Sequence, residues 1–397
     1  MKKVVGFITS LLLVVSLAAC SGSEGGAAKN IKIGVVLPDA SEERWANQDG
    51  AFFKEQLEAL GEGYEFEILF SDGDEAKEKQ NVQALIAKGA EVIIMTPDGS
   101  GAGAVQSANE AGVELVAHDR MVKKDLETIA DYYTTFNSWE VGKAQGQHLV
   151  DMANENGCSA TAKCDLAIFS GRVADWPNAT YFFGGAMEVI QPEFSMFNIV
   201  NISDDFTSLD LYTEDNFNDE AKDALQAAMG KVDTDWSADV AATKAAALVS
   251  NINKTSDDVY VLAPNDDTSA AIRQEFAKMP SPYTRLYSTG QDASDVTVAS
   301  LMGDTAKGKG TQTMTVFKDT SKLVANSVAI AKNIVDGVDG LTGLTGGPEI
   351  DGVPTAYTLI DTLVATNPQQ TYDLLFATGY KQEDNQTYSN IDFSLYK

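Results

Sequence analysis

The chain has 397 residues, with 29 Lys+Arg against 58 Asp+Glu, two His and three Cys, a length that suits two or more domains with sizeable cores. A formal net charge of −29 excludes most nucleic-acid binding and disfavours docking on anionic lipid through a basic surface. Two His and two Cys beyond Cys20 leave little material for zinc or iron–sulfur chemistry, and 44% hydrophobic residues argue against disorder.

In chain order, Met1–Cys20 comes first: two lysines, an apolar run from Val4 to Val15, then small residues. That is the pattern of an export signal, and the run is shorter than the roughly 20 residues a spanning helix needs. SGSEGGAAKN follows at once with linker composition, so residues 21–30 are expected to form a flexible tether. Leu17-Ala18-Ala19-Cys20 resembles the bacterial lipobox. The resemblance implies cleavage before Cys20, lipid on its sulfur, and a mature protein held outside the cytoplasmic membrane. Loss of Lys2 and Lys3 would take the charge from −29 to −31.

From Asn30 onward short β-rich runs alternate with helical patterns. The predicted strands are 31–37, 64–70, 91–96, 113–118 and 131–136, with helices over about 45–60, 75–88 and 101–111 between the first four. Gly61, Gly89 and Gly112 stop these helices, and Ser71–Asp74 can cap the second. The pattern then restarts: helix 138–154, strand 165–170, helix 178–190, strand 197–203, and a helical stretch to about 252. Strands at 258–264, 284–290 and 310–316 follow, then a long helix at 320–336, and strand 355–361 closes the set. Residues 204–229 are acidic and less periodic and read as an insertion ending in a helix; 337–354 is glycine-rich loop. Near-continuous apolar strands alternating with helices indicate parallel sheets covered on both faces. Two such α/β units predict two doubly wound parallel-sheet domains with a cleft between them. Cys158 and Cys164, in CSATAKC, either close a small disulfide loop outside the cytoplasm or remain two thiols; spacing alone does not decide.

In doubly wound sheets ligands bind beyond the carboxyl ends of the strands. Those ends here carry DASEERW, Asp119-Arg120, Asn137, GRVADWPNA, Asn265-Asp266-Asp267, Gln291-Asp292 and Phe317-Lys318. Asp accepts two hydroxyl hydrogens, Arg donates a fork, and Asn and Gln do both. Tryptophan supplies a flat apolar face. The set fits a neutral polyhydroxylated ring, with hydroxyls around its edge and C–H patches on its faces.

Catalytic patterns fit less well. GSGAG (99–103) has its Ser one place too early for a nucleophile elbow. GDTAKGKG (303–310) ends in Gly310 where a phosphate loop needs Ser or Thr, and it precedes a strand instead of following one. DTDWSAD (233–239) starts like a calcium loop, but Lys244 stands where the twelfth-position Glu belongs. His118 and His148 read as packed or surface residues.

The ordered series Glu43-Arg44-Trp45, Ala117–Arg120, Thr135–Asn137, Asp175–Ala179, Asn265-Asp266, Gly290–Ala293 and Gln312–Lys318 resembles the periplasmic sugar-binding proteins of ABC importers. The similarity is greatest to the D-xylose-binding and multiple-monosaccharide-binding group of the type I fold, from residue 31 to about 390. It implies that Arg44, Trp45, Asp119, Arg120 and Asn137 meet the sugar from the first lobe. Asn178, Asn265, Asp266, Gln291 and Asp292 would do so from the second. Lys318 would lie by a crossover strand, and Trp236 would stack on the ring. Trp45, Trp236 or Trp176 would supply apolar contact. Where that family usually has a Ser-Pro-x-Asp-Asn-Asn-like stretch, this chain reads GRVADWPNA, one residue longer, with Trp176 and Pro177 ahead of Asn178; its usual Tyr-Asp-Arg is His118-Asp119-Arg120 here.

The resemblance also implies three crossovers, near 136, 317 and 362. The first lobe would then be 31–136 plus 318–362, and the second 137–317 plus 363–397. The function implied is that of a lipid-anchored solute-binding protein, monomeric and without cofactor or metal. It would capture a monosaccharide by hinge closure and deliver it to an ABC permease. A sugar sensor feeding a chemoreceptor or sensor kinase, and a secreted sugar-acting enzyme using Asp119 or Asp266, are the alternatives.

Overall fold

The computed structural model describes residues 30–40, 44–122, 129–201, 206–303, 312–347 and 349–397. Cys20, the export signal, nearly all of the tether, Glu43 and most of the GDTAKGKG stretch lie outside these residues.

Two parallel sheets carry the fold. The first has six strands in the order β11-β5-β4-β3-β1-β2. They are β1 (Ile31–Leu37), β2 (Tyr64–Phe70), β3 (Val92–Met95), β4 (Glu114–His118), β5 (Tyr132–Phe136) and β11 (Thr355–Thr358). The second has four, β7 (Phe197–Ile199), β6 (Cys164–Ile168), β8 (Asp258–Leu262) and β9 (Arg285–Ser288) in that spatial order. Every pairing within both is parallel. Strands β3 and β8 are buried along their whole length, which is why they read as unbroken apolar runs.

Helices cover both faces of each sheet. In the first lobe they are α1 (Gly50–Glu58), α2 (Glu75–Ala87), α3 (Ala102–Ala111) and α10 (Thr320–Val335). In the second they are α4 (Ser138–Glu155), α5 (Asn178–Ile190), α6 (Asp219–Met229), α7 (Ala238–Val249), α8 (Asp266–Ala277) and α9 (Asp295–Met302). Caps fix their starts: Asp74 accepts from the Ala76 and Lys77 amides, and Asn265 accepts from Thr268 in a reciprocal capping box. Gly112 ends α3 in the left-handed region at φ 68°. The α4–α5 crossing is tight enough to require glycine. A Cβ on Gly142 would collide with the Phe182 carbonyl, and one on Gly185 with that of Trp139. Because α5 begins at Asn178, this crossing fixes one wall of the cleft.

After β5 the chain leaves the first sheet at Asn137, returns from β10 (Met314–Phe317) through α10 to β11, and leaves it again between β11 and β12 (Asp361–Val364). Strands β10 and β12 pair antiparallel, and a bridge from Val316 to Gln291 joins them to the second sheet.

Strand 355–361 does not close the set. It splits at Leu359, 73% exposed, into β11 and β12, and α11 (Pro368–Leu375) follows. The run TAYTLIDTLVA has no Gly or Pro to mark the break, yet the chain changes sheet inside it. The expected helix at 45–60 begins as a π-helical turn, Arg44–Asp49, and the expected strand at 197–203 shortens to three residues. Cys158 and Cys164 are joined in a disulfide, with Cα atoms 5.7 Å apart.

Candidate ligand-binding cleft

A cavity of about 560 Å³ opens between the two lobes, within the size range of small-molecule sites. Ten of the twelve expected ligand residues line it: Arg44, Trp45, Asp119, Arg120, Asn178, Trp236, Asn265, Gln291, Asp292 and Lys318. Most of them follow the carboxyl ends of β1, β4, β6, β8, β9 and β10, where parallel sheets place their ligands.

The first-lobe wall is a connected set of charges. Arg44 Nη2 donates to Asp119 Oδ1 at 2.7 Å, and Nε donates to Asp49 Oδ2 at 3.2 Å. Behind them Asp49 Oδ1 meets His118 Nε2 at 2.9 Å, and His118 Nδ1 meets Ser327 Oγ at 2.8 Å. His118 is fully buried against Phe53 and serves this brace. Burial opposes the charge on Asp119, but Arg44, Lys318 and His118 outweigh it and hold the carboxyl well below the usual range. Trp45 is 1% exposed, with the guanidinium carbons of Arg44 and Arg120 4.4 and 5.0 Å from its ring centre. Its ring therefore supports the two arginines more than it meets the cavity.

Below Arg120, Glu78 is fully buried. Its Oε2 accepts from the Asp98 amide at 2.7 Å, while Oε1 has no hydrogen-bond partner. Burial raises its pKa to about 7. The loop it holds also offers the Pro97 carbonyl to Arg120 Nη1 at 3.5 Å.

The second-lobe wall sets three amides and one indole among the carboxylates of Asp175, Asp267, Asp292 and Asp295. Asn178, first residue of α5, donates to the Asp119 carbonyl at 2.9 Å and accepts from Thr135 and Ser138 hydroxyls at 3.2 Å each. It bridges the lobes at the floor of the cleft. Trp236 Nε1 donates to Asp175 Oδ2 at 3.0 Å, and the ring lies against Phe182. A Cβ on Gly171 would strike that ring, so glycine there makes room for it. Lys318 Nζ pairs with Asp292 Oδ1 at 2.7 Å.

Several of these residues sit in left-handed backbone: Asp119 at φ 63°, Trp236 at 57°, Asp292 at 91° and Ala293 at 50°. Asp tolerates this region; for a bulky Trp it is a genuine outlier. Such strain costs about 1–3 kcal/mol per residue and persists where surrounding structure holds it.

Two expected ligand residues do not line the cavity. Asn137 caps α4, accepting from the Glu140 amide at 3.3 Å. Asp266 is 2% exposed and turns inward. It accepts from Gln312 Nε2 at 2.5 Å, Thr315 Oγ1 at 2.8 Å and the Ser294 amide at 2.8 Å. Burial, helped by Asp292, pushes its pKa to about 7 against those bonds. It supports the 291–294 loop instead of touching the cavity. Trp176, expected to offer apolar contact, also points elsewhere: its Nε1 reaches Asp351 in the first lobe. The peptide before Pro177 is cis.

The cavity also takes residues the sequence did not single out as ligands, among them Asp175, Gln48, Thr135, Phe182 and Lys381. Asp175 lies within the GRVADWPNA strand end and was visible as a candidate. Lys381 comes from the C-terminal tail, which follows no strand of either parallel sheet. Among the described residues no group of three or more His, Cys, Asp or Glu is placed to hold a metal.

Comparison with known proteins agrees with this geometry. The periplasmic binding protein domain family matches residues 33–339. The multiple sugar-binding periplasmic receptor ChvE of Rhizobium radiobacter is 26% identical over 371 residues, 90% of this chain and 93% of that protein. The D-xylose-binding periplasmic protein of Escherichia coli K12 is 24% identical over 95% of this chain and 98% of its own length. Among solved structures, a carbohydrate transporter solute-binding protein from Chloroflexus aurantiacus, in complex with D-glucose, superposes with TM-score 0.74 at 33% identity. That match covers 92% of this chain and 100% of that one. These relatives are binding proteins and not enzymes. The chain belongs to the periplasmic binding protein domain family, with the two-lobed type I fold.

Proposed function

We propose that this protein is an extracytoplasmic solute-binding lipoprotein. It captures a monosaccharide, of the class of xylose, glucose or galactose, between its lobes and delivers it to an ABC-type sugar permease. The observation that carries the reading is the composition of the cleft. One wall offers an ion-paired Asp119 with Arg44 and Arg120, the other offers Asn178, Asn265 and Gln291, and the Trp236 ring lies beside them. Those groups suit a ring of hydroxyls and an apolar sugar face. The relatives named for sugar binding, and the D-glucose held by the Chloroflexus protein, support the same class.

In the mechanism, sugar meets the open cleft, the lobes rotate about the crossovers, and water leaves. Dry surroundings then strengthen the hydrogen bonds to Asp119 and Arg120. No bond in the sugar is made or broken. The lobes divide as the crossovers suggest, 31–136 with 318–362 against 137–317 with 363–397. Cys20 carries the lipid, and the protein acts as a monomer.

A thermal-shift screen of residues 21–397 against common pentoses and hexoses tests the reading. A ligand that binds only the folded state raises the midpoint with the logarithm of its concentration over Kd. One or two epimers should do so, and no shift with any monosaccharide overturns the sugar assignment. Cys20→Ala should release the full-length protein from the membrane fraction; retention there counts against the anchor.

A further inference from the structure

Trp176 leaves the cleft, and its destination is the first lobe. Its Nε1 donates to Asp351 Oδ2 at 2.7 Å. Asp351 and Gly352 form the corner of a tight turn, with φ of 51° and 80°, closed by reciprocal Ile350–Val353 backbone bonds and leading into β11. The indole also packs, with Tyr181, against the first-lobe core that contains Ile350 and Val353. Its other contacts come from the second lobe. Phe217 stacks on it at 6.0 Å and 18°, Tyr181 meets it edge-on at 5.3 Å, and Lys222 Nζ sits 3.9 Å from its ring centre. Phe217 and Lys222 both belong to the acidic 204–229 stretch, whose purpose the sequence left open.

Position in the chain gives this contact its leverage. Asp175 and Asn178, on either side of the Trp176–Pro177 pair, both line the cavity. A bond from Trp176 to the first lobe therefore ties the ligand-bearing loop to the opposite lobe, outside the cavity itself. Such a bond exists only while the lobes are together, so it favours the closed state by its whole strength.

We propose that Trp176 and Asp351 form a latch between the lobes, braced by Tyr181, Phe217 and Lys222, that sets how long a bound ligand is retained. Trp176 is a positioning residue and does not contact the ligand. The latch rests on the sugar-binding reading for its ligand but not for its geometry.

The test is a double-mutant cycle with Trp176→Phe, which keeps a ring and removes the donor, and Asp351→Gly, which removes the acceptor at a φ that glycine accepts. Stopped-flow release of the sugar found by thermal shift should quicken roughly tenfold in each single variant, the scale of one hydrogen bond to a charged acceptor. The association rate should stay at the wild-type value, and the double variant should be no faster than either single one. Asp351→Asn, which keeps an acceptor oxygen, should recover part of the retention. Unchanged release overturns the latch, as does additive loss accompanied by a matching fall in ligand-free stability. Should the wild type bind no sugar, the functional reading fails, and small-angle scattering of the ligand-free proteins decides the latch. Wider lobe separation in the variants supports it, and identical separation overturns it.

Discussion

On the first-lobe wall Arg44 and Asp119 belong to one connected set of charges; on the second-lobe wall the amides and the indole are each held by a separate partner. Arg44, Asp119, Asp49 and His118 form one continuous set of ion pairs and hydrogen bonds. Across the cleft, Asn265 is fixed by its own capping box, Trp236 by Asp175 and the space over Gly171, and the 291–294 loop by buried Asp266. A charged wall can organise itself, because each charge is its neighbour's partner. The amides and the indole of the second wall each need a support of their own, and so spread their requirements over more of the chain.

The sharpest way to break this contrast is Asp119→Ala. It removes the central acceptor of the first wall, and truncating one partner of a buried, hydrogen-bonded charge in a binding site typically costs about 2–5 kcal/mol of binding. Sugar binding measured by calorimetry should fall by at least a hundredfold. The ligand-free midpoint should stay near wild type, because Arg44 keeps Asp49. A variant that binds normally would mean the first wall does not hold the ligand.

The second wall should yield more gradually, through a residue outside the cavity lining. Gly171→Ala places a methyl against the Trp236 ring and should weaken binding about three- to tenfold. Trp236→Ala should weaken it about ten- to thirtyfold, the scale of a lost aromatic contact. Equal affinity in wild type and both variants would remove the indole from the site.

A third effect concerns pH and separates the two supports. Glu78 stands behind the first wall and Asp266 behind the second, each with a pKa raised to about 7 by burial. A carboxyl raised on folding favours the protonated native state. Its contribution is complete below the ordinary carboxyl range and is lost as pH climbs through about 7. Urea midpoints should therefore decline from pH 4.5 to 7.5, by on the order of 1–2 kcal/mol for each group. Glu78→Gln should flatten its share of that slope; an identical slope in the variant would show that Glu78 does not titrate there.

Much of this could be read from residue order alone, for a physical reason. Buried parallel strands must be apolar, and polar residues directly after them stand out, so Asp119-Arg120, Gln291-Asp292 and Lys318 were visible as a set. What the pattern does not carry is direction. Asp266 and Trp176 follow strands just as Asn265 and Asp175 do, yet one turns into the core and the other toward the opposite lobe. The same limit hid β12, since an apolar run looks alike whether it stays in one sheet or changes sheets midway. It hid Tyr380 and Lys381 as well. Tyr380 packs from the tail against Phe52 and Phe317 and meets the Thr320 hydroxyl at 2.9 Å, a partnership between distant ends of the chain that no local spacing encodes.

The first sheet takes β11 at its edge, and α10 supplies Val324, Val328, Ile330 and Ala331 to one of its faces. Those residues lie beyond the whole of the four-stranded second sheet in the chain. A polypeptide emerging N-terminus first therefore delivers β1 to β5 long before α10, while the whole four-stranded sheet and nearly every helix of the other lobe arrive in between. The sheet made first waits for much of the other lobe to be made, and until residue 335 appears it lacks the apolar side chains that α10 lays on that face. Any factor that holds the nascent or translocating chain should engage that face, and shortening the protein before α10 should convert it from a transient hazard into a permanent one.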